Sequence, residues 1–102
     1  MIEKIDFEKA KELMDSLPRY ILLDVREEEE YITGHAIDSL LFPVDDINAD
    51  SARIMLPDKD VPILIYCRSG RRSSDAAHKL EDLGYETLYD IGGLIGWPYG
   101  LE

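Results

Sequence analysis

A chain of 102 residues, 45% of them hydrophobic, suffices for one domain around one modest core. Its 22 acidic and 11 basic residues give a net charge of −11, which argues against non-specific binding to nucleic acid or to an anionic membrane surface. The single cysteine, Cys67, excludes an internal disulfide and a multi-cysteine zinc site, and the two histidines, His35 and His78, lack metal-ligand spacing, so no metal is expected.

The first predicted element is a helix. In "IDFEKAKELMDSLP", Phe7, Ala10, Leu13, Met14 and Leu17 recur at helical spacing, Asp6 is placed to cap the N-terminus, and Pro18 closes the segment. Glu8 adds a negative charge to the first turn, but Lys9 stands where a capping box needs Glu or Gln. "YILLDV" (20–25) is a near-continuous apolar run of strand length, the pattern of a strand buried on both faces. "EEEEYI" reads as one or two solvated helical turns that end at Gly34.

"SLLFP" (39–43) is a short strand candidate, and 44–55 reads as weakly helical and then loop. "VPILIYC" (61–67) is the strongest strand signal, with Pro62 at its tolerated start. "SSDAAHKLEDLG" (73–84) is an amphipathic helix with Ala76, Ala77, Leu80 and Leu83 on one face and Gly84 beyond its end. "YETLYDI" (85–91) reads as a further strand, and "GGLIGW" (92–97) turns, with a short helix expected in it. Strands alternate with helices, which predicts an α/β domain over residues 1–102 with a mostly parallel sheet covered on both faces.

In such sheets ligands bind at the carboxyl ends of the strands. Two strands carry polar residues there: Asp24 and Arg26 after one, Cys67 and Arg68 after the other. The only thiol in an acidic chain is followed by "RSGRR", so Arg68, Arg71 and Arg72 concentrate positive charge beside it. A free cysteine titrates near ~8.5 and is mostly protonated at neutral pH. A helix N-terminus favours an anion by about 0.3–2 kcal/mol, and nearby guanidiniums add to that. Gly70 lets the loop curl so that successive N–H groups converge, as in an anion-binding nest. The other reading of Cys67 is a small buried hydrophobe at a strand end.

Three motifs carry a family resemblance that covers nearly the whole chain, in order. "LLDVREEEEYITGH" (22–35) resembles the first signature of rhodanese-type sulfurtransferases through Asp24-Val25-Arg26, Glu30-Tyr31 and Gly34-His35. "YCRSGRRSSDAAHKLEDLGY" (66–85) resembles the family's active-site loop and helix, and Gly92, Gly93 and Trp97 resemble its closing segment. The resemblance implies a five-stranded sheet flanked by helices and a catalytic Cys67 in the loop 67–72. It implies thiolate attack on a sulfane donor such as thiosulfate, a Cys67 persulfide, and transfer to cyanide or a thiol, without a cofactor. The loop residues Arg68, Ser69, Gly70, Arg71 and Arg72 then bind the donor, with Arg72 on its oxyanion end, while Asp24 and Arg26 brace the loop. His35 is expected to make structural hydrogen bonds and His78 to face solvent.

One departure is "AIDS" (36–39) after Gly34-His35, where relatives usually show Ile-Pro-Gly-Ala. Two rivals follow from the same fold. A cysteine-dependent phosphatase needs Cys-x5-Arg, which would put an arginine at Ser73, whereas Arg72 gives the tighter Cys-x4-Arg. A non-catalytic interaction module usually lacks the cysteine that is present here. The expected protein is a cytoplasmic monomer acting on a small-molecule donor and acceptor, with an acceptor protein as a further partner. No apolar stretch spans a bilayer, and "MIEKIDFEKAKEL" is not a signal peptide.

Overall fold

The computed structural model describes all 102 residues. In chain order the elements are β1 (Ile2–Lys4), α1 (Phe7–Ser16), β2 (Ile21–Asp24), α2 (Glu28–Thr33), β3 (Leu40–Leu41), a 3-10 turn (Val44–Asp46), α3 (Ala49–Met55), β4 (Ile63–Cys67), α4 (Arg71–Asp82) and β5 (Leu88–Gly93). The strands form one five-stranded sheet in the order β1-β5-β4-β2-β3. Every pairing within it is parallel. No helix is long and apolar enough to cross a membrane.

Strand β4 lies at the centre, and all five of its residues are buried. Side chains alternate across a strand, so its two faces feed different layers. Ile63, Ile65 and Cys67 join Leu23 and Val25 in a core with Ala76, Ala77 and Leu80 of α4 and Ala52 of α3. Leu64 and Tyr66 join Leu22 in a smaller core with Ala10 of α1 and Ala36. A strand buried on both sides has no room for a polar alternation, which is why "ILIYC" reads as a continuous apolar run.

The cap predicted for α1 is present: the Asp6 carboxylate accepts from the Lys9 N–H at 2.8 Å. Helix α2 starts with a capping box in which the Glu27 N–H donates to Glu30 Oε1 at 3.0 Å. Five stretches differ from expectation, and Ile32 of α2, expected to pack inward, is 73% exposed. Strand β1 has no sequence signal, because three residues, one half-buried and two exposed, show no period; its pairing to β5 holds it. The weakly helical stretch resolves into a 3-10 turn and α3, with Asn48 accepting from Asp50 and Ser51 N–H groups as cap. Strand β5 runs Leu88–Gly93, later than 85–91, because Tyr85 is taken into the core, its hydroxyl donating to the Ala52 and Leu56 carbonyls. Residues after Gly93 form a turn with no helix in it.

Helix α4 begins at Arg71, two residues earlier than its apolar pattern suggests. Gly70 is its N-cap at φ 107°, a left-handed conformation that glycine adopts without the Cβ clash. Arg71 and Arg72 are therefore first-turn helical residues, not loop residues.

Candidate active site

Three strand ends converge on one edge of the sheet. In the β2–β4 register Asp24 lies beside Tyr66. In the β4–β5 register Ile65 pairs with Asp90 but Tyr66 pairs with Gly92, so Ile91 is skipped and Gly93 is brought opposite Cys67. Bulges of this kind re-aim a strand end beside functional loops.

Cys67 ends β4 and has no solvent exposure. Its Sγ accepts the Gly70 N–H at 2.9 Å, so the chain curls back over the sulfur within three residues. The residues over it are exposed at Arg68 and Ser69, and their two backbone N–H groups donate to no protein atom. Helix α4 has no carboxylate in its first turn and no side-chain cap. The positive end of its dipole therefore faces the cysteine loop uncompensated by an acid of its own.

The three arginines of the loop segment are not equivalent. Arg72 grips Glu30 of α2 with both terminal nitrogens, at 2.6 and 2.9 Å. The hydrogen bond from Arg72 holds the Glu30 carboxyl at about 2, below the ordinary carboxylate value of 4.5. The same bond raises the Arg72 guanidinium above its usual range. Arg68 and Arg71 are exposed and enter no ion pair. Charge that is free to meet a solute therefore sits on Arg68 and Arg71, and the charge of Arg72 is fixed in place by Glu30.

Asp24 and Arg26 form a buried pair below this layer. Arg26 donates to Asp24 from its backbone N–H, Nε and Nη2, the last at 2.7 Å, and Nη2 also reaches the Gly34 carbonyl at 2.8 Å. The hydrogen bonds with Asp24 raise the Arg26 guanidinium further above its usual value. Tyr66 completes the unit: its hydroxyl donates to Asp24 Oδ2 at 2.5 Å and accepts from the Ala36 N–H at 3.1 Å. Burial pushes this phenol well above its ordinary range, and the bond to Asp24 adds to the shift. The pair thus ties β2 to β4 and to the 34–36 turn.

The 36–39 departure has a structural role. Asp38 takes φ 67°, and the turn receives the C-terminal residues. Ala36 and Leu101 form an antiparallel bridge, His35 and Glu102 exchange backbone hydrogen bonds at 3.0 and 2.8 Å, and the Asp38 N–H donates to Glu102 Oε2 at 2.7 Å. His35 stacks on Tyr31 at 3.7 Å and donates from Nδ1 to its carbonyl at 2.9 Å, a structural part as expected. His78 is exposed and bonds only the Ser74 carbonyl one turn back.

Sequence reasoning assigns no role to the Glu30 side chain, Tyr66, Gly93 or Leu101. Glu30 is hidden in a run of four identical acids, although its place three residues after Glu27 is a capping-box signal. Gly93 reads as a turn residue until the β5 bulge is known. A Cβ there would stand 2.5 Å from the Arg68 carbonyl oxygen.

A family model for the rhodanese-like domain matches residues 6–98. The chain is 33% identical over 98 residues to a sulfurtransferase of Allochromatium vinosum, covering 95% of this chain and 89% of that one. It is 30% identical over 97 residues to the thiosulfate sulfurtransferase GlpE of Tolumonas auensis, covering 94% and 88%. Among solved structures, a rhodanese-like domain from Anabaena superimposes with a TM-score of 0.86 at 26% identity, covering 100% of this chain and 80% of that one. The cysteine loop, its two flanking strands and the Glu30–Arg72 pair all fall inside the matched span, and the chain belongs to the rhodanese-like domain family.

Proposed function

We propose that this protein is a sulfurtransferase of the thiosulfate type that works through a persulfide on Cys67. The observation that carries the reading is the Cys67 sulfur itself, held at the head of the central strand by the Gly70 N–H at 2.9 Å. A sulfur that accepts a backbone hydrogen bond there, beside the N-terminus of α4, is placed where a nucleophile would act. The relatives named sulfurtransferase and thiosulfate sulfurtransferase support the same chemistry.

In the first half-reaction the Cys67 thiolate attacks the outer sulfur of thiosulfate. A bond forms between Sγ and that sulfur, the bond to the sulfonate sulfur breaks, and sulfite leaves with the bonding pair. The terminal sulfur then carries the negative charge, and the Arg68 and Ser69 N–H groups are the nearest unclaimed donors in sequence. In the second half-reaction a thiophile attacks the terminal sulfur and returns Cys67 as thiolate. Arg68 and Arg71 draw a dianionic donor toward the loop against the acidic background, and Arg72 adds a fixed charge on the helix. Because Cys67 has no exposure, the segment 68–70 must move aside to admit a sulfur atom.

Intact mass after incubation with thiosulfate and desalting tests the reading. The expected product gains the mass of one sulfur atom in the wild type and gains nothing in Cys67→Ser. A wild-type protein that stays unmodified by thiosulfate and by a polysulfide overturns it.

A further inference from the structure

A cavity of about 190 Å³ is lined by α1, the start of β2 and the segments 37–38 and 97–99, and none of its residues belongs to the cysteine loop. It is smaller than the ~300–1,000 Å³ of pockets that hold larger organic molecules, and it suits a single head group. Three aromatic side chains wall it: Tyr20, Trp97 and Tyr99. The Trp97 and Tyr99 rings stand 5.0 Å apart at 88°, so they make the two sides of a corner. Phe7, outside the cavity, meets Trp97 edge to face at 5.2 Å and fixes its tilt.

Aromatic faces attract cations, and the charges around this corner act in the same direction. Lys11 Nζ lies 6.0 Å from the Tyr99 ring centroid and donates to Asp15 at 2.6 Å, so that pair is neutral as a unit. Asp38 is left over. Its N–H donates to Glu102, but its carboxylate engages no protein group. Asp38 is also the one non-glycine residue with a positive φ, 67°. Aspartate visits that region when its side chain bonds the local backbone, which it does not do here. Glycine would hold the same turn with less strain. A strained residue whose carboxylate is uncommitted, set at an aromatic corner, is the kind of group that faces a ligand.

We propose that this cavity binds a small quaternary ammonium ion, with the cation against Tyr20, Trp97 and Tyr99 and the Asp38 carboxylate as its counter-charge. Met14, Leu22 and Ile37 complete the wall. Their side chains offer no acceptor to the N–H groups of a primary amine, which favours a methylated cation. Asp15 and Asp38 repel a phosphate joined to the cation, so the ligand is a free ammonium ion and not the head group of a phosphocholine lipid.

Trp97 is the only tryptophan, so its fluorescence reports on the cavity directly. Choline chloride is titrated at constant ionic strength beside 3,3-dimethylbutan-1-ol, its uncharged isostere, and ethanolamine, its primary counterpart. Choline is expected to give a saturable change in emission and to bind about tenfold more tightly than either. Asp38→Asn, which tolerates the same backbone, should weaken choline about fivefold while Tm stays within about 2 °C of wild type. Asp38→Gly should weaken it equally, because glycine keeps the turn and removes the charge. Lys11→Met should tighten choline about threefold, since it removes a rival cation and frees Asp15. Phosphatidylcholine vesicles should leave the protein in the supernatant on sedimentation. The site is overturned by an absent or unsaturable response to choline, by equal affinity for the isostere or the primary amine, or by Asp38 variants that keep wild-type affinity. Co-sedimentation with the vesicles would overturn the assignment to a free ion.

Discussion

Glu30 and Arg72 face each other across α2 and α4 with two parallel hydrogen bonds, at 2.6 and 2.9 Å, and this pair locks the first turn of α4, the helix that follows the cysteine loop, to α2. Bidentate geometry is a property of the planar guanidinium and is lost with lysine. The pair also fixes where Arg72 sits: two of the five guanidinium N–H groups are committed to Glu30, and the charge is held beside the loop.

The first prediction concerns pH. The Glu30 carboxyl titrates at about 2 in the folded protein and near 4.5 otherwise. A carboxyl depressed on folding stabilises fully above its unfolded value and loses that contribution as pH falls through its folded value. With the Glu30 side chain 28% exposed, solvent screening leaves about 1–2 kcal/mol. Thermal melts of wild type and Glu30→Gln should therefore differ by a constant margin from pH 7 to about 5, converge below about 4.5, and coincide near 2. A gap that persists unchanged in acid would mean that Glu30 stabilises through packing alone.

A double-mutant cycle at the same pair gives the second. Arg72→Ala leaves Glu30 unpaired next to the cysteine loop and should lower both stability and sulfur transfer, whereas Arg71→Ala removes an exposed, unpaired charge and should be milder in both. Adding Glu30→Gln to Arg72→Ala should recover part of the loss, with a coupling of about 0.5–3 kcal/mol. Strict additivity would show that the two side chains act separately.

Much of this is legible in the sequence. Strand β4 announces itself because burial on both faces forces an unbroken apolar run, and the cysteine loop stands out because its charge opposes that of the whole chain. The limits have physical causes. The helix start at Arg71 is set by Gly70 taking φ 107°, and periodicity cannot see two polar residues ahead of the first buried one. The partner of Arg72 comes from another element, and the pairing of residues 101–102 with the 35–38 turn is a long-range contact with no local signature.

Tyr66 supplies the third prediction. Its hydroxyl accepts the buried Ala36 N–H and donates to Asp24, so Tyr66→Phe leaves that N–H without a partner and takes one donor from a buried carboxylate. The expected cost is about 2 kcal/mol, or roughly 10 °C in Tm for a domain of this size. Because Arg26 still holds Asp24, persulfide formation at low temperature should fall little. A large loss of turnover with an unchanged Tm would give the phenol a chemical part that its burial argues against.

The glycines of β5 yield the last. Gly92 has φ 85°, and a Cβ added there would meet nothing within 4 Å, so its requirement is conformational. Gly93 has the opposite requirement: a Cβ would meet the Arg68 carbonyl oxygen at 2.5 Å and the Ser69 Cα at 3.1 Å. Those are backbone atoms of the loop over Cys67 and cannot rotate away. Gly93→Ala should therefore push the loop off its seat, break the Gly70 hydrogen bond to sulfur, and lower kcat/KM by about 10–100-fold, since displacements near 1 Å at a reacting centre cost that much. Gly92→Ala should instead cost about 1–2 kcal/mol of stability through left-handed strain, with activity at permissive temperature close to wild type. Paired melts and thiosulfate turnover on the two variants check this. Should both alanines lose stability and activity in the same proportion, the close approach of Gly93 to Arg68 would not be what positions the cysteine loop.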